Sequence, residues 1–204
     1  MSSETPPLQT QERILDAARK LLVETGIEGL SMRKVGLAAG ISAAAIYRHF
    51  EDKDALLSAA IREGARVFVG YLVESLQAPS ARERLYLMGR RYFAFAEEHP
   101  HDYHVLFMLD CEKVGLDKLD QEARAETDKS FQLLVDRVIE CQKAGWMIPG
   151  EPREHALFIW ASIHGLASIQ LTHRLQADAA AYEKLKTKHL DHLMVCLSQL
   201  PEQL

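Results

Sequence analysis

Apolar residues recur at three- and four-residue intervals along almost the whole of this 204-residue chain, and its 7 Pro, with Gly26, Gly40, Gly115, Gly145 and Gly150, fall between those runs. That spacing places the apolar side chains on one face of a helix and cannot line one face of a strand. From Thr10 onward, Ile14, Leu15, Ala18, Leu21 and Leu22 share one helical face, and Gly26, able to take a left-handed cap, closes the run. Ser31 then supplies an N-cap hydroxyl for a short helix carrying Met32, Val35, Ala38 and Ala39, which Gly40 breaks. Ser42 caps a second short helix from Ala43 to about Phe50, and a longer one follows with Leu56, Leu57, Ala60, Ile61 and Val67 as its stripe. Beyond Pro79 the spacing predicts longer helices over Ala81–Glu98, Asp102–Cys111, Leu119–Ala144, Arg153–Leu175 and Ala180–Leu197, parted by Pro100, Gly115 and two turns. No stretch alternates in the manner of a strand bounded by hairpin turns. The expected fold class is all-α, with compact short helices in front and a bundle of long helices behind.

Composition narrows the class of function. With 48% hydrophobic and 26% charged residues, the chain has too much apolar content for disorder. Cys111, Cys141 and Cys196 are odd in number, far apart and without a CxxC pair, so neither a disulfide framework nor a zinc site is expected and a reducing cytoplasm fits. Met1 to Pro7 lacks the apolar core of a secretory signal, and the longest apolar stretch, Leu157 to Leu171, falls short of the ~20 residues of a membrane span. The His99, His101, His104 group and the His189, His192 pair beside Asp191 lack metal-ligand spacing, and solvated helix ends account for them. There is no GxSxG, no phosphate-cradling Gly-rich loop and no Cys/His pair in catalytic context. No enzyme activity, cofactor or metal is expected.

Charge placement points elsewhere. The net charge of −5 excludes a supercationic tail. Within residues 1–54 the net charge is −1, yet Ser31 to Phe50 holds Arg33, Lys34, Arg48 and His49 and no acid. The same segment reads helix, tight turn, helix, with Gly40 free to take a positive φ and Ile41 to plug the angle between the helices. A basic stripe on a nearly neutral domain suits phosphate contact at one face, although a solvated basic face would have the same pattern.

Ser31 to Leu57, SMRKVGLAAGISAAAIYRHFEDKDALL, resembles the DNA-binding signature of the tetracycline-repressor (TetR) family. The matching residues are Ala39, Gly40, Ile41 and Ser42, then Tyr47, His49 and Phe50, then Lys53 and Leu56, with the Gln11–Glu24 helix and the Thr25-Gly26 stop at the usual distance before them. Gly36 departs from a common Ala, and Ala43-Ala44-Ala45 open the recognition helix where polar or turn-favouring residues are frequent. The resemblance implies a helix-turn-helix domain over 8–54 and a helical effector-binding and dimerisation domain over 55–200. It implies phosphate contacts from Ser31, Tyr47, His49 and Lys53, which fix register without reading sequence. Ser42, which caps the recognition helix, is counted with the DNA-contacting residues, and Phe50 holds that helix in the core. Base reading falls to Ala43, Ala44, Ala45 and Arg48, with Arg33 on the preceding helix; only the two arginines can contact guanine bidentately.

The rear of the chain says less. Trp160-Ala-Ser-Ile-His164-Gly165-Leu166 resembles a Trp-His-Gly element of one TetR subgroup, and His99-Pro100 with Tyr103 and Phe107 its helix-opening segment. Phe93, Phe107, Phe131, Trp160 and His164 are candidates for an effector pocket, with ordinary core as the alternative. The Arg153–Leu175 helix is apolar nearly all round, which requires cover on several sides. A second subunit packed on Ile159, Ile163, Leu166, Leu190, Leu193 and Leu197 in a four-helix bundle would supply it, and a charge at Ile163 or Leu193 would then yield monomer or aggregate and abolish operator binding. The expected protein is a cytoplasmic homodimeric regulator, a repressor released from pseudo-palindromic double-stranded operator DNA by a small-molecule effector, without a membrane partner. A ligand-free architectural protein of the same fold and an effector-dependent activator are the alternatives.

Overall fold

The computed structural model describes residues 7–110, 119–175 and 177–199, with the side chains of Pro7, Leu8 and Ala43 outside the description. Cys111 and Gly115, expected to end one helix and part it from the next, therefore lie outside the described residues. Among those residues the chain forms nine α-helices and no strand: α1 (Pro7–Gly29), α2 (Met32–Ala39), α3 (Ala43–Ile46), α4 (Lys53–Glu74), α5 (Ala81–Glu98), α6 (Pro100–Phe107), α7 (Gln121–Lys143), α8 (Pro152–Leu171) and α9 (Ala179–Leu197). A 3-10 turn, Ser75–Gln77, follows α4.

Local chemistry sets most of the boundaries. Gly26 breaks α1 at φ 65, ψ −174. The Ser80 side chain accepts from the Glu83 N–H while Glu83 reaches back to the Ser80 N–H, a complete capping box at the start of α5. Asp120 and Asp178 cap α7 and α9 by accepting from the N–H groups of Ala123 (2.7 Å) and Ala181 (2.8 Å). Three ends differ from expectation. Helix α3 stops at Ile46, because the Arg48 and His49 N–H groups donate three residues back, to Ala45 and Ile46, in a tightened last turn. Helix α6 begins two residues early, with Pro100 at its first position, where a missing N–H costs nothing. Helix α8 ends at Leu171 rather than Leu175, as Thr172 caps it and His173 turns to φ 55.

The chain forms two compact units. The first comprises the described residues of Met1–Arg66 and His101–Thr127, the second those of Val67–Pro100 and Asp128–Leu204. A division at 54/55 would cut through α4. In the first unit Ile14, Ala18, Leu22, Val35, Ile46 and Leu56 have no exposed surface, and Val105 of α6 joins the same core. Arg19 of α1 meets the buried Asp102 of α6 at 3.1 Å, and Gly64 of α4 lies so close that a Cβ there would sit 3.1 Å from the same carboxylate oxygen.

In the second unit α5 packs on α8 and α9. A Cβ at Gly89 would stand 2.6 Å from Leu190 and 3.2 Å from Ile163, so glycine permits that approach. Phe68 meets Tyr92 edge-on and Phe95 at a tilt, and the buried Lys186 of α9 pairs with Glu97 of α5 at 2.5 Å. Here the structure departs from the expected dimer face. Ile159, Ile163, Leu190, Leu193 and Leu197 are buried within this unit itself, and Leu166 is half-buried. Those five each expose 6% or less in the single chain, so little of their area is open to a second copy. Periodicity finds an apolar stripe but does not say what covers it. The large apolar residues that α8 and α9 leave exposed are Leu157, Phe158, Ile169 and Val195.

Candidate nucleic-acid interface

Helix α2 starts from Ser31, whose extended backbone (φ −145, ψ 149) lets its hydroxyl accept from the Lys34 N–H at 3.3 Å. Met32, Val35, Gly36 and Ala39 face the core, so the helical period turns Arg33, Lys34, Leu37 and Ala38 to solvent. Gly40 ends the helix in the left-handed region at φ 68, ψ 33. A Cβ there would be strained whatever the space around it. The Ser42 hydroxyl then accepts from the Ala45 N–H at 3.1 Å and starts α3.

Two anchors seat this short element: Ile46, fully buried, and Phe50, buried in the same core. With those turned inward, Ala44, Tyr47 and Arg48 are solvent-exposed and Ala45 and His49 half-buried. Tyr47 keeps 56% of its surface free. Thus Arg33, Tyr47 and Arg48 are exposed, while Ser31 and Ser42 each accept one helix-capping N–H and keep the O–H as a donor that a phosphate could take. Ala43, named for base reading, has its side chain outside the described residues.

Three cations do work that sequence reasoning missed. Lys53 donates to the Ile27 carbonyl at 2.6 Å, Lys34 to the Gly29 carbonyl at 2.9 Å, and Arg13 to the Ala39 carbonyl at 2.6 Å. Each reaches a carbonyl where α1 or α2 ends, the position at which a helix dipole favours positive charge, and the Ile27 carbonyl accepts from the Leu30 N–H as well, at 3.2 Å. Lys53, expected at phosphate, is thus also tied to the end of α1. The available signal was weak: a helix closed by glycine leaves carbonyls unpaired, but nothing in the local sequence says which distant donor reaches them.

The effector candidates do not all gather. Phe131, Trp160 and His164 form a chain of rings at 6.1 and 5.9 Å, which Tyr92 joins through its hydroxyl, 3.1 Å from His164 Nδ1, and Arg153 through its guanidinium over Phe131. Burial holds the His164 imidazole below its ordinary pKa, so it is neutral at pH 7. Phe93 is instead a core residue, edge-on to Tyr182, and Phe107 belongs to the first unit, against Tyr103. Among the described residues no group of three or more His, Cys, Asp or Glu side chains could hold a metal ion, and no helix is long and apolar enough to cross a membrane.

Comparison with known proteins agrees with this arrangement at both ends of the chain. Residues 14–60 match the family model of the bacterial regulatory proteins, tetR family, and residues 85–193 that of the tetracyclin repressor-like C-terminal domain. The chain is 25% identical over 183 residues to the uncharacterized HTH-type transcriptional regulator YvkB of Bacillus subtilis, covering 90% of this chain and 92% of that protein. It is 41% identical over 59 residues to the HTH-type transcriptional repressor AcnR of Corynebacterium efficiens, 29% of this chain and 31% of that one. A TetR family transcription regulator from Marinobacter aquaeolei VT8, only 19% identical, shares the fold with a TM-score of 0.75 over 94% of this chain and 96% of that chain. An all-α chain whose front carries an open, acid-free helix-turn-helix and whose two ends match the two domains of one family is a member of it: this protein belongs to the TetR family and is a DNA-binding transcriptional regulator.

Proposed function

We propose that the protein is a cytoplasmic repressor that binds a pseudo-palindromic operator as a homodimer and leaves it when a small molecule binds residues near Trp160 and His164. DNA reading falls to residues 8–54, and effector binding and dimerisation to residues 55–200. The observation that carries the reading is the pair of exposed arginines, Arg33 and Arg48, with the exposed Tyr47, in a segment, Ser31 to Phe50, that holds no acid. The 41% identity of the front segment to a transcriptional repressor supports the sense of regulation. Two such heads one helical turn of DNA apart, about 34–36 Å, would read two half-sites, and an effector that favours another spacing would release them.

The dimer face of this reading is the exposed stripe of α8. Leu157, Phe158, Ala161, Gly165 and Ile169 recur at helical spacing on one side, and a Cβ on Gly165 would meet nothing within 4 Å of its own chain. Val195 of α9 is exposed as well. Contiguous apolar surface of this kind is kept from water by a second copy.

Selection of bound duplexes from a random pool tests the reading, followed by a screen for compounds that release the selected duplex. Arg48→Ala is expected to relax the preference at one G·C position per half-site, costing about 1–3 kcal/mol, and Arg33→Ala at a neighbouring position. If both variants return the wild-type motif at every position, the arginines do not read bases. Lys53→Ala is expected to weaken selected and unrelated duplexes alike and to lower the salt slope by about one. An unchanged slope leaves Lys53 only its bond to Ile27.

A further inference from the structure

The geometry points to Arg13 of α1 as the positioning residue for operator recognition: its guanidinium holds the turn between α2 and α3 and so sets the angle at which α3 meets DNA. The last carbonyls of α2 show how. Leu37 and Gly36 accept from the Gly40 and Ile41 N–H groups at 3.2 and 2.9 Å, within the turn itself. The Ala39 carbonyl instead takes Arg13 Nη2 at 2.6 Å, from 26 residues away. The guanidinium lies flat enough on the turn that a Cβ at Gly40 would come within 3.3 Å of the same nitrogen. Arg13 is seated by its neighbours, since Ile14, Ala17 and Ala18 beside it on α1 are core residues shared with Val35 of α2 and Ile46 of α3. A single charged donor thus ties the end of one reading helix to the rigid helix beneath both.

This tie matters more here than it would behind a recognition helix with long polar side chains. Helix α3 spans four residues, too few to hold its own direction, and Ala44 and Ala45 present only methyl groups. A long side chain can swing to recover a contact after a small displacement, whereas a methyl group cannot. A radial gap of 0.5–1 Å already forfeits about a quarter to a half of a van der Waals contact. Where those methyl groups meet the operator, preference therefore depends on backbone placement, and Arg13 joins Ile46 and Phe50 in supplying it without touching a base, while Arg33 and Arg48 read through their own side chains. The inference rests on the reading that α2 and α3 form the operator-reading head.

The test compares wild type, Arg13→Ala and Arg13→Lys on the duplex recovered by selection and on an unrelated duplex of equal length, each across a salt titration. Amide exchange at Gly40, Ile41 and Ser42 is followed in parallel. Arg13→Ala is expected to lose about 10- to 100-fold on the selected duplex and less than about twofold on the unrelated one, at unchanged salt slope and with faster exchange at the turn. Arg13→Lys, which keeps one charged donor, is expected to recover most of the preference. Equal losses on both duplexes with a slope lower by about one would make Arg13 a phosphate contact and overturn the inference. So would an intact preference in Arg13→Ala, or a loss that matches the unfolded fraction in a thermal melt and is not rescued by Lys. A wild type that binds both duplexes equally overturns the reading head itself, and Arg13's role with it.

Discussion

Phe158→Glu is expected to yield a folded monomer that has lost its hold on the operator. Phe158 keeps 54% of its surface and Leu157 53%, at the N-terminal end of the α8 stripe, so a carboxylate there meets water in the monomer and its own symmetry mate or apolar surface in the dimer. Burying that charge unpaired costs several kcal/mol, enough to dissociate a dimer at micromolar concentration. A monomer with one reading head loses the second, effectively intramolecular binding event, about 10²–10⁴-fold in operator affinity. Ile163→Glu makes the contrasting control. Ile163 is 5% exposed and touches the approach that Gly89 opens, so its carboxylate would unfold the subunit rather than part it from a partner. Sedimentation with near-ultraviolet circular dichroism distinguishes the two: Phe158→Glu should be monomeric with native dichroism, Ile163→Glu aggregated or without it. A dimeric Phe158→Glu would place the interface elsewhere.

Asp102→Ala is expected to be the most damaging single change in the first unit. Its carboxylate side chain is 9% exposed and meets Arg19, 16% exposed, at 3.1 Å. Removing one member of such a pair leaves the other charged and poorly hydrated, which costs about 3 kcal/mol, the low end of the range because Arg19 retains some water. At this chain length that corresponds to a fall of about 6–12 °C in Tm. The pair joins α1 to α6, two elements far apart in sequence, and Asp102 also fills the space left by Gly64. Asp102→Asn keeps the shape and loses the charge, and should fall between wild type and Ala. Thermal melts that show a loss under about 0.5 kcal/mol would mean that the pair is solvated in solution and contributes as a surface salt bridge does.

Much of this protein is legible in the sequence because much of it is decided within a few residues. Ser31 and Ser42 cap their helices and Gly40 takes its left-handed turn as their side chains require, each bond spanning three to five positions. The turn motif with its flanking Tyr47, His49 and Phe50 was enough to point to the family. Helix ends were less exact where the last turn tightened, as at Ile46, since the choice between neighbouring carbonyls depends on how Phe50 seats in the core.

Tertiary structure decided whatever depends on which distant group arrives. The apolar face of α8 and α9 reads the same from sequence whether the chain or a second copy covers it. Only the fold assigned Ile159, Ile163, Leu190, Leu193 and Leu197 to the subunit core and left Leu157, Phe158, Ile169 and Val195 outside. Likewise Arg13 and Lys53 are plain cations in sequence, and the fold brought them across 26 residues to the carbonyls of Ala39 and Ile27. Asp102 gave no sign that it would join Arg19. Hydrogen bonds within a helix turn follow from covalent neighbours, whereas side-chain partners and buried faces follow from the packing of whole helices, where many residues contribute and none carries the pattern alone.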